Sequence, residues 1–285
     1  MTRLRVPSGD SSNDDSKWWV ATSDRIALLK ARYVRQAFSR HAHDTFVVCV
    51  NEHGAHLSWY RGRTVTIDER AVAVIPPGEV HSGQPIGGRT WQYRAMYPSA
   101  ELIGALAREV GLNATDLPTF PQLAIDDPFL ADAFVRAHRM CEEESDSLAA
   151  EAGVIDVLTM LLSTHAAWMK PSRLRIVSGA VVRRAIDCIQ DSFAERVTLE
   201  MLADATGLPR GTMLRAFKRE VGLPPYAFLI QVRIEHAKRL LQTGIPIATV
   251  AGRVGFADQS HLNRHFKRLV GVTPGVFARG AIRPS

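Results

Sequence analysis

Residues 255–279 read G-F-A-D-Q-S-H-L-N-R-H-F-K-R-L-V-G-V-T-P-G-V-F-A-R, and a weaker copy of this text lies upstream. Met213, Arg215, Phe217, Lys218, Gly222, Pro225 and Phe228 correspond to Leu262, Arg264, Phe266, Lys267, Gly271, Pro274 and Phe277, each pair 49 positions apart. Such a run of correspondences at one offset, with no gap, points to two copies of one small unit. Each copy reads as a short helix, a Gly-containing turn and a second amphipathic helix with basic residues on its outer side. That is the sequence form of a helix-turn-helix. Two in tandem imply one chain gripping two stretches of DNA major groove.

Charge divides the chain in the same way. Residues 1–171 carry 17 Lys+Arg against 21 Asp+Glu, whereas residues 172–285 carry 18 against 8. A basic half behind an acidic one points to a polyanionic partner for the second half. A solvated basic face is the plainer reading of charge alone, and the repeat decides between them. At 285 residues two domains are expected. No run of about 18 apolar residues occurs, so no membrane span is expected. The polar start has Arg3 and Arg5 but no apolar stretch behind them, and is not a secretory signal. Cys49, Cys141 and Cys188 are odd in number and far apart, which implies a reducing cytoplasm and no disulfide framework. The chain has no C-x-x-C pair, and no Ser–His–Asp, phosphate-loop or dinucleotide-binding pattern. No cofactor is implied and no enzyme is expected.

From about 24 to 98 the text is short apolar runs, F-V-V-C-V, H-L-S-W-Y, T-V-T-I and A-V-A-V-I, broken by N-E-H-G, R-G-R, D-E-R and P-P-G-E. Strands at this spacing with such turns predict a sandwich or barrel. Helical spacing follows over 99–111, 128–144 and 148–169, with Glu142, Glu143 and Glu144 read as a solvated helix end. Val154, Ile155, Leu158, Leu161 and Leu162 form one apolar stripe. The stripe predicts a homodimer through 128–169, the alternative being a helix that covers the barrel. Residues 170–178 read as a hinge. The rest is helical: 178–193, a helix capped by Thr198, one running to Val221, a continuous helix over 225–242, then 247–254 and 258–270.

The last hundred residues resemble the DNA-binding domain of the arabinose-regulator (AraC/XylS) family of bacterial transcription factors. The resemblance rests on Ile247, Ala248, Ala251, Val254, Gly255, Phe256, Gln259, Ser260, Leu262, Arg264, Phe266, Lys267, Gly271, Thr273 and Pro274. The family usually ends on an aromatic–Arg pair, and here Ala278 separates Phe277 from Arg279. The acidic half resembles the family's cupin-type sensor domain. His41-Ala42-His43 is similar to the first cupin motif, and Pro76-Pro77-Gly78-Glu79-Val80-His81 to the second. Metal-binding cupins also carry a Glu four or five residues after the H-x-H, where this chain has Val47 and Val48. The implied fold is α+β in two domains: a cupin-like β-barrel with helices over 18–171, and an all-α tandem helix-turn-helix domain over 175–283. The implied function is a DNA-binding transcription regulator, an activator, controlled by a small-molecule effector. Double-stranded DNA and RNA polymerase are its implied partners. A metal-dependent cupin enzyme or metal sensor fused to a DNA-binding domain is the alternative.

Residues for each role follow. Arg210, Leu214, Arg215 and Lys218 lie on the exposed side of the first recognition helix; Gln259, Ser260, His261, Asn263, Arg264 and Lys267 lie on the second. Arg can donate two hydrogen bonds to guanine, and the second helix carries the richer donor–acceptor set, so it is expected to read more bases. Lys218 and Lys267 suit phosphate contacts. For the effector, His41, His43, Trp59, His81, Trp91 and Tyr93 supply an aromatic wall with a few polar groups. Three His in a barrel also suit a metal; without the Glu, no metal is assigned.

Overall fold

The computed structural model describes residues 14–21, 26–87, 89–112, 117–143, 147–167 and 179–281. The polar start before residue 14 and the hinge over 170–178, with the domain bounds at 171 and 175, lie outside these described residues. So does Glu144.

Among the described residues nine strands come first: β1 (Asp15–Ala21), β2 (Ile26–Tyr33), β3 (Phe38–His41), β4 (Val47–His53), β5 (His56–Tyr60), β6 (Arg63–Ile67), β7 (Val72–Ile75), β8 (His81–Pro85) and β9 (Trp91–Tyr97). A short β10 (Ala124–Ile125) follows α1 (Ala100–Glu109), and α2 (Pro128–Glu143) and α3 (Ser147–His165) close the half. The strands form two antiparallel sheets, β1-β2-β9-β4-β7-β10 and β3-β8-β5-β6. The R-G-R signal is the β5–β6 turn. Arg61 at φ 48° and Gly62 at φ 85° are both left-handed, as a two-residue hairpin turn requires.

Strand alternation separates two cores. Leu29, Ala31 and Tyr33 of β2, Val47 and Cys49 of β4, and Trp91, Tyr93 and Ala95 of β9 point between the sheets. Their neighbours Leu28, Val48, Val50 and Met96 point outward and are covered by the three helices. The stripe on α3 supplies that cover. Val154, Leu158, Leu161 and Leu162 are at most 1 % exposed, packed on the sheet's outer face. The expected homodimer through this stripe is therefore corrected: the face is already consumed within the chain. A helix long and apolar enough to cross a membrane, Leu148–His165, is this same sheet-covering helix.

Glu142 is also corrected. It is no solvated end but accepts from Arg94 Nη1 at 2.7 Å and Lys30 Nζ at 3.0 Å. Arg94, 3 % exposed, also ion-pairs with Glu52 at 3.0 Å. A buried guanidinium needs such partners.

The second half is seven helices among the described residues: α4 (Ala180–Asp191), α5 (Leu199–Thr206), α6 (Arg210–Val221), α7 (Pro225–Gln242), α8 (Ile247–Arg253), α9 (Gln259–Val270) and α10 (Pro274–Ala281). The 49-residue repeat maps onto α6 and α9 with their following turns. Met213 and Phe217, like Leu262 and Phe266, are buried core residues. Gly222 and Gly271 end their helices in the left-handed region, at φ 80° and 87°. Thr198 Oγ1 accepts from Met201 N at 3.2 Å, and Asp258 caps α9 through His261 N at 2.7 Å.

The two units do not share one core. The first packs on itself through Val182, Ile189, Leu202, Met213 and Phe217. The second is continuous with the space between the sheets: Ile230, Ile234, Leu269, Val270 and Phe277 join the cluster that holds Trp18, Tyr33 and Trp91. Trp18 packs tilted against Phe277 with ring centroids 5.2 Å apart. Tyr33 donates its hydroxyl to Gly271 O at 2.9 Å, and Gln231 Nε2 donates to Ala42 O at 2.9 Å.

Candidate functional site

The helix-turn-helix surface is built by what lies beneath it. Because Met213 and Phe217 take the core side of α6, Arg210, Leu214, Arg215 and Lys218 are left exposed. On α9, Leu262 and Phe266 do the same for Gln259, Ser260, Arg264 and Lys267. His261 and Asn263 are half-buried. His261 packs edge-on against Phe256 at 5.2 Å and shares a hydrogen bond with His265 Nε2 at 3.1 Å. Asn263 Oδ1 is buried without a hydrogen-bond partner. Arg210 is held by Glu200 at 3.0 Å. Among the described residues, Arg215, Lys218, Arg264 and Lys267 have no carboxylate partner and face solvent with their charge intact.

A cavity of about 60 Å³ lies between the two sheets. Its walls are His41, His43, His56, Ser58, His81, Trp91, Tyr93 and Tyr97, and its roof is Leu269 and Val270, the last two residues of α9. The second recognition helix thus lines the sensor cavity. His56, Trp91 and Tyr93 form a stack, with centroids 4.1 Å and 4.4 Å apart. Trp91 Nε1 donates to Asn51 Oδ1 at 2.8 Å, which fixes the plane of the stack. Among the described residues Ser58 Oγ is buried with no hydrogen-bond partner. An unsatisfied buried hydroxyl costs about 1–3 kcal/mol, so a ligand or water that reaches it is favoured.

The expected site residues divide. His41, His43, His81, Trp91 and Tyr93 come together around the cavity. Trp59 does not: on β5 the inward positions are His56, Ser58 and Tyr60, so Trp59 points outward. There Arg40 covers its ring, with Cζ 3.7 Å from the centroid. Its assignment to the effector is corrected by strand phase. His56, Ser58 and Tyr97 are lining residues that the sequence reading passed over. The alternating pattern His56-x-Ser58 was the available signal. Leu269 and Val270 had none within the sensor half.

The three cupin-motif histidines meet because β3 and β8 are paired with His41 opposite His81. Their nearest ring nitrogens lie within 4.8 Å of one another. His41 Nδ1 contacts Ser39 O at 2.7 Å and His81 Nδ1 contacts Glu79 O at 3.0 Å. A carbonyl can only accept, so both Nδ1 atoms carry the proton and both Nε2 atoms present lone pairs. Burial, then the neighbouring rings, holds the His41 and His43 pKa values well below the usual range, and burial pushes His81 down to about 4. All three are neutral at physiological pH.

Two family models match this architecture: residues 25–158 the AraC-like ligand binding domain, and residues 202–280 a helix-turn-helix domain. The chain belongs to the AraC family of transcription regulators. It is a DNA-binding transcription regulator. Among its relatives is the HTH-type transcriptional regulator YbfI of Bacillus subtilis, 28% identical over 237 residues, covering 83% of this chain and 86% of YbfI. The transcriptional activator RhaS of Enterobacter sp. is 24% identical over 266 residues, 88% of this chain and 91% of RhaS. The crystal structure of unsaturated fatty acid bound ToxT from Vibrio cholerae superposes with a TM-score of 0.52 at 12% identity, over 93% of this chain and 94% of that one. At that identity the likeness shows the shared fold.

Proposed function

We propose that this AraC-family chain is a one-component cytoplasmic activator whose effector enters the barrel cavity and acts through the roof. The carrying observation is that Leu269 and Val270 belong both to the cavity wall and to the helix with Arg264. The cavity has room for a few water-sized groups and no more. A larger effector must displace the roof and hence α9, so its binding and the placing of the second recognition helix are one equilibrium. His41, His43, Trp91, Tyr93 and His81 are the effector-contacting residues of this reading, joined by His56 and Ser58. Among the described residues no carboxylate, Lys or Arg lines the cavity, which favours an uncharged, planar molecule with a hydrogen-bonding group for Ser58. For DNA, Arg210, Leu214, Arg215 and Lys218 address one major groove; Gln259, Ser260, His261, Asn263, Arg264 and Lys267 address the next.

RNA polymerase contact and pairing of two copies complete the reading, since paired chains gain avidity on repeated half-sites. Among the described residues Phe129, 85% exposed at the start of α2, is the large apolar side chain most open to such a partner. The test is a thermal-shift screen of small neutral aromatics against the full chain, followed by DNA affinity with each hit. His81→Ala should abolish the effector response and leave basal DNA binding intact. Hits that stabilise the protein without changing its DNA affinity contradict the coupling.

A second reading has its own observation. The fixed Nδ1 protons of His41 and His81 leave a preoriented set of neutral nitrogens suited to a divalent metal such as zinc. Those residues would hold a metal without the cupin Glu. Metal analysis of purified protein separates the readings: a stoichiometric metal lost in His81→Ala makes the cavity a metal site.

A further inference from the structure

One segment of the sensor domain, residues 35–40, packs through Phe38 on its own core and also lies against the DNA-binding half. It walls two neighbouring surface grooves. The first holds Arg35 with Arg264, Lys267 and Arg268; the second holds Arg40 with Lys218 and Arg268. Among the described residues neither groove is lined by a carboxylate. Among the described residues none of these six cations is ion-paired, whereas Arg61, Arg70, Arg94, Arg139 and Arg210 all are. A strip of unpaired cations on a protein surface is self-repulsive and is stabilised by a polyanion.

The segment is held in place. Gln36 Nε2 donates to Lys267 O at 3.2 Å, tying it to α9. Val34 N and Arg35 N donate to Asp14 Oδ1 at 2.7 and 3.1 Å. Asp14 is thus engaged by these backbone amides. Arg40 lies over the outward-facing Trp59 ring. The strip runs from Lys218 on the first recognition helix, through Arg40 and Arg268, to Arg264 and Arg35 beside the second.

We propose that this barrel segment is a third DNA contact, in which Arg35 and Arg40 bind backbone phosphates between the two major grooves that α6 and α9 enter. The proposal rests on the DNA-facing role of those helices. Phosphate contacts add affinity and register without reading sequence. The sensor domain would therefore contribute to DNA binding directly, and any effector that moved the barrel would alter that contribution.

The test is fluorescence anisotropy of the full chain on a duplex enriched from a random pool, between 50 and 200 mM salt. Each phosphate contact adds about 0.9 to the slope of log K against log salt. Arg35→Ala/Arg40→Ala should flatten the slope by about 1.8, so its affinity should fall about 12-fold less over that fourfold salt range. Arg35→Lys/Arg40→Lys should restore the slope, which a merely structural role for the guanidinium groups would not. Arg63→Ala, a basic change on β6, should leave the slope unchanged. An unchanged slope or tighter binding in the double Ala variant, with Arg264→Ala still weakening binding, overturns the proposal alone. If Arg264→Ala also has no effect, the DNA face on which it rests falls too.

Discussion

Replacing Gly271 with Ala strikes the joint between sensor and DNA reader. Gly271 ends α9 at φ 87°, and a left-handed Ala costs about 1–2 kcal/mol. The new Cβ would lie 2.7 Å from the Tyr33 hydroxyl and 3.0 Å from the Phe38 ring, too close for either. Overpacking of that kind adds about 1–3 kcal/mol. Displacing Tyr33 also strains its hydrogen bond to Gly271 O, worth about 0.5–1.5 kcal/mol net. The total is about 3–6 kcal/mol. Gly207→Ala is the matched control. It ends α5 at φ 68° with nothing within 4 Å of its Cβ, so it bears the backbone cost alone, about 1–2 kcal/mol. Urea unfolding of the full chain, followed by tryptophan fluorescence, measures both. If the two variants lose equal stability within about 0.5 kcal/mol, the docking of α9 on the barrel does not constrain the protein.

Three further outcomes are expected. Arg264→Ala should cost about 1–3 kcal/mol of specific DNA affinity and relax one base position, with Arg215→Ala losing less specificity; footprinting with neither effect refutes the assignment. Acid should destabilise the sensor, because His81 is depressed from 6.5 to about 4 by burial. The unfolded chain takes the proton first, so stability is complete above pH 6.5 and falls as pH drops toward 4. The loss is about 2 kcal/mol by pH 5 from His81 alone. His81→Gln should flatten that slope, and an unaltered pH profile would contradict it. Finally, Leu158→Glu, placed where Leu158 is 0% exposed against the sheet, should give an unfolded or insoluble sensor domain. A folded monomer would restore the α3 stripe as a dimer face.

The helix-turn-helix units were legible because each has local marks: buried residues at helical spacing, a capping Thr or Asp, and glycines where φ must be positive. The barrel was legible as alternating short runs. Strand phase was not, since H-L-S-W-Y offers Leu57 and Trp59 as readily as His56, Ser58 and Tyr60. The stronger aromatic misled. Glu142 looked like part of a solvated run because its partners, Arg94 and Lys30, are remote in sequence. The α3 stripe showed that an apolar face needs covering, yet which surface it covers is a tertiary matter. The same holds for Leu269 and Val270. Their place at the end of an amphipathic helix gives no sign that they roof a cavity formed by residues 38–97.

The central claim is that one chain reads two successive major grooves with α6 and α9. Selection of random duplexes by the full-length protein tests it without knowledge of any target gene. The enriched sequences should contain two conserved half-sites with centres about 10–10.5 base pairs apart, one helical turn. Arg264→Ala should blur one half-site and Arg215→Ala the other. Enrichment of a single half-site with no fixed neighbour, or of no motif at all, would contradict the claim.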